Sequence, residues 1–145
     1  MASAARSIES VQHGSRPRAK RWISFGLSAW AVLFLVFDAV SHLLVGPQVV
    51  EAFDQMGYPV SSSVTLGVIE AACLALYLFP RTSVLGAVLL TGYLGGAVAS
   101  HLRIDSPLLS HTLFPVYVGL LLWGGLYLRD SAVRVLMPLR SDASR

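Results

Sequence analysis

Four long apolar runs with almost no charge inside them constrain this 145-residue chain more than anything else in it. They lie at about 22–45, 60–79, 83–101 and 112–128. At 1.5 Å rise per residue, helices of these lengths cross, or nearly cross, a hydrocarbon core of roughly 30 Å. A backbone in lipid must satisfy its own hydrogen bonds, so each run reads as a helix. The expectation is an all-α integral membrane four-helix bundle. Composition agrees: 54% hydrophobic residues, 13% charged residues and a mean hydropathy of +0.64 leave too few charges to coat a soluble domain.

The charges are also unevenly spread. Arg6, Arg16, Arg18, Lys20 and Arg21 precede the first run, and Arg129, Arg134, Arg140 and Arg145 follow the last. Arg81 sits in the turn between the second and third runs, and Arg103 alone occupies the opposite side. By the positive-inside rule both termini are expected to be cytoplasmic. The basic pI near 9.4 therefore describes two tails beside a membrane. No nucleic-acid motif is present, and nucleic acid is excluded as a partner.

Residues 1–21 are polar, lack apolar periodicity and read as a disordered basic cytoplasmic tail. Residues 129–145 form a second basic tail, in which Asp130 is placed to cap a short helix carrying Val133, Leu136 and Met137. A secretory leader cleaved near Ala39-Val40-Ser41 is the rival reading of the first run, but the tail before it is long and Asp38 and His42 crowd the site. Pro47 to Gly57 is too short to span. Its Pro-first, Gly-last punctuation and its apolar Val49, Val50, Phe53 and Met56 suggest an interfacial helix. Pro80-Arg81-Thr82 is so short a turn that the runs on either side must be antiparallel neighbours. The third run carries Gly92, Gly95 and Gly96, a small-residue face that would let another helix approach, within the bundle or in a homodimer.

An ionisable group inside a span costs roughly 2.5–3.5 kcal/mol on insertion scales, so each needs a reason. Asp38 and His42, four apart, share a helix face. They could relay protons, orient a metal-bound imidazole or bind a quinone carbonyl, or simply form a local hydrogen-bonded pair that anchors the helix end. Glu70 lies near mid-membrane, turned inward with Ser63, Gly67, Leu74 and Tyr77. Tyr93 and Tyr117 fall at comparable depth as hydrogen-bond partners for it. His42, His101 and His111 gather at the outer edge with Arg103, which could attract an anion or pair with Asp105 or Glu51. Histidines so placed are ordinarily interfacial. Haem or a divalent metal is the less favoured reading, because their spacing is not diagnostic of ligands, and no metal site is expected. Cys73 is the single cysteine and can form no intramolecular disulfide. No nucleophile elbow, phosphate loop, Rossmann fingerprint or dithiol pair is present.

The segments VLFLVFDAVSHLL, VVEAFDQMGYP, FPRTSVLGAVLLTGYLGGAVASHLR and HTLFPVYVGLLLWGGLYLRD together resemble the DoxX-like family over about Trp22 to Arg140. The Thr91 to Gly96 run, with His101 and His111, is the most specific part. The resemblance implies four helices in a bacterial inner membrane. The family's namesake is described as a subunit of a terminal quinol oxidase, or thiosulfate:quinone oxidoreductase, complex. The expected function is thus an accessory subunit of a quinone-linked redox system, holding an apolar ligand such as a quinone in the bundle, in a cavity lined by Asp38, His42, Glu70, Tyr93, His101 and His111. The alternatives are an oxidoreductase subunit proper, or a small transporter with Glu70 as proton-coupling acid. The expected partners are the lipid bilayer and a second copy or a membrane redox complex.

Overall fold

The computed structural model describes residues 16–137, and the tails 1–15 and 138–145 lie outside it. The described residues are helical almost throughout and contain no strand. Helix α1 spans Arg16–Leu44, α2 Pro47–Met56, α3 Ser62–Leu78, α4 Ser83–Arg103, α5 Phe114–Arg129 and α6 Ser131–Leu136. A single π-helical turn, Leu108–Thr112, leads into α5.

Residues 16–21, expected to belong to a disordered tail, are instead the first turns of α1. Arg, Ala and Lys are good helix formers, and Pro17 sits where its missing N–H costs nothing. Helix α2 begins and ends as its punctuation indicates. Pro47 opens it, and Gly57, at φ 66°, closes it with a Schellman pair of bonds from Gly57 N–H to Asp54 and from Tyr58 N–H to Phe53. The Thr82 hydroxyl donates to the Leu76 carbonyl, closing α3 before the chain reverses. Asp130 caps α6 by accepting from Ala132 N–H at 2.8 Å.

Helices α1, α3, α4 and α5 form a ring in which each packs on two neighbours: α1 on α3 and α5, α4 on α3 and α5. Each turns one stripe inward. For α1 this is Ser24, Ser28, Ala31, Leu35 and Ala39; for α3 it is Ser63, Gly67, Glu70, Leu74 and Tyr77. The outward faces remain apolar, with Leu33, Phe37 and Leu120 well exposed. An apolar exterior on this scale suits lipid and not water. Among the described residues, three stretches are long and apolar enough to cross a membrane: Arg21–Leu44, Ser83–Arg103 and Leu108–Arg129. Ser62–Leu78 is apolar but only 17 residues long.

The glycines that permit close packing are not the ones the small-residue pattern singles out. Among the described residues, a Cβ on Gly92, Gly95 or Gly96 would meet nothing within 4 Å, so none of the three makes a close helix–helix contact. The spacing rule finds a smooth face but cannot say which way it turns. The close contacts are elsewhere. A Cβ on Gly86 would collide with the Tyr77 backbone, and one on Gly125 with the Ser28 hydroxyl. One on Gly67 would lie 2.9 Å from the His42 Cβ.

Gly86→Ala therefore forces apart the α3–α4 turn and should cost ~1–3 kcal/mol of stability. Gly92→Ala should change it by no more than about 0.5 kcal/mol. Unfolding in mixed detergent micelles with increasing SDS measures both.

Candidate functional site

The polar side chains of the ring converge where α1 and α3 cross at Gly67. Asp38 and His42 lie one turn apart on α1, with Asp38 Oδ2 and His42 Nε2 separated by 3.8 Å. Glu70 approaches from α3 and is fully buried, at 0% exposure. One ligand-type atom from each of Asp38, His42 and Glu70 falls within 4.8 Å of the others. Tyr93 reaches in from α4 and donates its hydroxyl to Glu70 Oε2 at 3.2 Å. The second oxygen, Glu70 Oε1, has no hydrogen-bond partner among the described residues.

Ser63, at the start of α3, fixes the imidazole. Its hydroxyl donates to the His42 carbonyl at 2.8 Å, which uses its only proton. The 3.1 Å contact between Ser63 Oγ and His42 Nδ1 must then be donated by the ring. The neutral imidazole accordingly carries its proton on Nδ1 and turns a lone pair on Nε2 toward Asp38. Phe53 of α2 is buried against the ring, 5.6 Å between centroids, and covers this end of the cluster. His42 is only 16% exposed, whereas Asp38 is 38% exposed and forms the cluster's open side. Two ionised carboxylates this close repel, and a proton or a cation between them removes the repulsion.

Other residues expected at the site lie apart from it. His101 and His111 pair with each other, 5.9 Å between ring centroids, and contact Ser106 and Ser110 through their Nδ1 atoms. His42 does not join them. Arg103 pairs with neither Asp105 nor Glu51; it donates to the Met56 carbonyl at the end of α2 and lies 4.7 Å from the centre of the Tyr58 ring. The free carbonyls of a helix end attract a cation, which explains the preference. Tyr58 in turn contacts Ser100 at 3.0 Å, and that bond, with Arg103 nearby, lowers its phenol below the ordinary value of 10. Tyr117 is 42% exposed and has no part in the cluster.

Sequence reasoning placed Ser63 on the inward face but gave it no chemical role. Its position near one end of an antiparallel helix, level with the end of α1 that carries His42, was the available signal. It also gave no role to an apolar groove of about 260 Å³ between α4 and α5, lined by Thr91, Leu94, Gly95, Gly119, Leu120 and Trp123 among others. There the Trp123 indole N–H donates to Thr91 Oγ1 at 2.9 Å, and Thr91 donates to Ala87 O. The groove's polar groups are satisfied internally, so it offers apolar surface only. Helix α4 thus separates a polar cluster on one side from an apolar groove on the other.

A family model described as the DoxX-like family matches residues 26–125, which include every residue of the cluster and the groove. No curated protein and no solved structure matches the chain.

In the wild type, ¹⁵N chemical shifts of neutral His42 should report the Nδ1–H tautomer. Ser63→Ala removes its acceptor and should move the population toward Nε2–H.

Proposed function

The chain belongs to the DoxX-like family of membrane proteins, and from that premise we propose that it is an accessory subunit of a quinone-linked membrane redox system. In this reading it crosses the bacterial inner membrane four times. Helix α3 spans as the short fourth helix, and the basic tails and Arg81 face the cytoplasm. The packing of α3 between α1 and α4 supports this arrangement.

The observation that carries the ligand assignment is the groove between α4 and α5. It is concave, apolar and includes Gly95 and Gly119 in its lining. With its donors already committed to Thr91 and Ala87, it selects by shape. The isoprenoid chain of a quinone has that character. On the open face at Gly92 and Gly96 we place the contact with a second copy or with the redox partner.

Two measurements test this reading. Reporter fusions at both tails should be active only in the cytoplasm. Protein purified in mild detergent should carry near-stoichiometric quinone by mass spectrometry, and Gly119→Leu, which fills the groove, should reduce it at least tenfold. Finding only bulk phospholipid in the wild type would remove the quinone assignment. Proton-driven uptake in vesicles that is lost in Glu70→Gln would replace it with a transporter.

A further inference from the structure

With Asp38 and Glu70 ionised and His42 neutral, three acceptors converge at the α1–α3 crossing. Glu70 Oε1 is buried and unpartnered. Because Ser63 holds a proton on Nδ1, the neutral form of His42 presents the Nε2 lone pair to the cluster. Asp38 adds a carboxylate oxygen 3.8 Å from that nitrogen. The two nearest hydroxyl donors are already committed, Tyr93 to Glu70 Oε2 and Ser63 to the His42 carbonyl.

A shared proton satisfies at most two of these acceptors. One divalent cation satisfies all three, and its charge cancels that of two ionised carboxylates, which matters most in surroundings of low dielectric. From this geometry we infer that Asp38, His42 and Glu70 form a binding site for a divalent first-row transition-metal ion. The donor set, one imidazole nitrogen with two carboxylates, suits Zn²⁺, Mn²⁺ or Fe²⁺. It does not suit Ca²⁺ or Mg²⁺, which favour oxygen alone, nor Cu⁺, which favours sulfur. Three protein ligands leave a coordination position for water or a substrate oxygen.

The surroundings are those of a metal site. The Ser63 contact to Nδ1 is the outer-shell bond that metal-bound imidazoles ordinarily make, and Tyr93 orients Glu70 in the same way. Phe53 closes one side, while Asp38, part-exposed, leaves a way in. Ligand atoms around a tetrahedral ion at 2.0–2.2 Å stand roughly 3.3 Å apart. The present separations, up to 4.8 Å, close to that by side-chain rotation of about an ångström. The inference goes beyond the quinone reading and does not depend on it, since the groove lies across α4.

The test uses the full-length protein in detergent, stripped with EDTA and titrated at pH 7 with Zn²⁺ by calorimetry and with Mn²⁺ by electron paramagnetic resonance. One ion per chain should bind. Asp38→Asn and Glu70→Gln should each weaken binding at least tenfold and Ser63→Ala about tenfold, whereas His111→Ala should leave it unchanged. Zn²⁺ should raise the unfolding temperature of the wild type but not of Glu70→Gln, and each variant's own melting curve separates a lost site from a lost fold. Gly119→Leu should bind the ion as the wild type does, so the two readings fail separately. Absence of binding up to millimolar metal, or binding that Asp38→Asn and Glu70→Gln leave intact, overturns the site. An infrared band of protonated carboxyl that persists under saturating Zn²⁺ and vanishes in Glu70→Gln would also overturn it, by showing that a proton holds the pair.

Discussion

Ser28, Tyr77 and Gly125 join α1, α3 and α5 through a set of polar and close backbone contacts on which the ring depends. The Tyr77 hydroxyl donates to the Leu122 carbonyl at 3.0 Å and lies 3.2 Å from Ser28 Oγ, while Ser24 donates to the Gly125 carbonyl at 2.7 Å. Lipid is as apolar as leucine, so burying Leu35 or Leu122 between helices gains little over leaving it outside. Association has to come from backbones that approach closely and polar groups that find partners there. Gly125 supplies the approach beside Ser28, and Gly86 supplies it beside Tyr77. The same device recurs at Gly67, where it brings His42 within reach of Ser63 and Glu70. Packing and chemistry here share one requirement, which is a helix surface without a Cβ at the crossing point.

Much of this was legible in the sequence, for identifiable reasons. Helix type followed from apolar runs and from the need to satisfy the backbone in lipid. The inward stripe of α3, including Glu70, followed from 3.6-residue periodicity, and the ends of α2 from Pro47 and Gly57. The Tyr93–Glu70 bond followed from counting depth along antiparallel helices; the same count could not reject Tyr117, because depth says nothing about which way a side chain turns. That rotational blindness also explains Gly92, Gly95 and Gly96. Their spacing is right for close packing, yet among the described residues nothing lies within reach of a Cβ there, while isolated Gly67, Gly86 and Gly125 do the packing without a repeat to announce them. Ser63 was chemically silent in sequence because a serine acquires its role only from what lies opposite, here an imidazole 21 residues away.

Helix α4 keeps two different environments apart. Tyr93 on one face belongs to a site rich in acceptors and closed by Phe53. Thr91, Leu94 and Gly95 on another line a groove whose donors are all engaged. A chain of this size has room for one core, and the core is spent on leucine and alanine around Leu35, Leu90 and Leu122. Anything the protein binds must therefore sit at a seam between helices, reached from the side. The α2 end is fastened separately: Arg103 and Tyr58 tie α2 to the end of α4, so that Phe53 is held over the cluster by contacts outside it.

The brevity of α3 has its own consequence for the surrounding membrane. Its 17 residues measure about 26 Å along the axis, against about 32 Å for the 21 of α4. With α3 crossing as proposed, the lipid annulus beside it must thin to avoid hydrophobic mismatch, whereas lipid beside α4 relaxes to ordinary thickness. Head groups and water then dip toward the protein on the α3 side alone. Such lopsided bilayer deformation favours neighbours whose own short helices share it, so bilayer elasticity would help select the company this protein keeps.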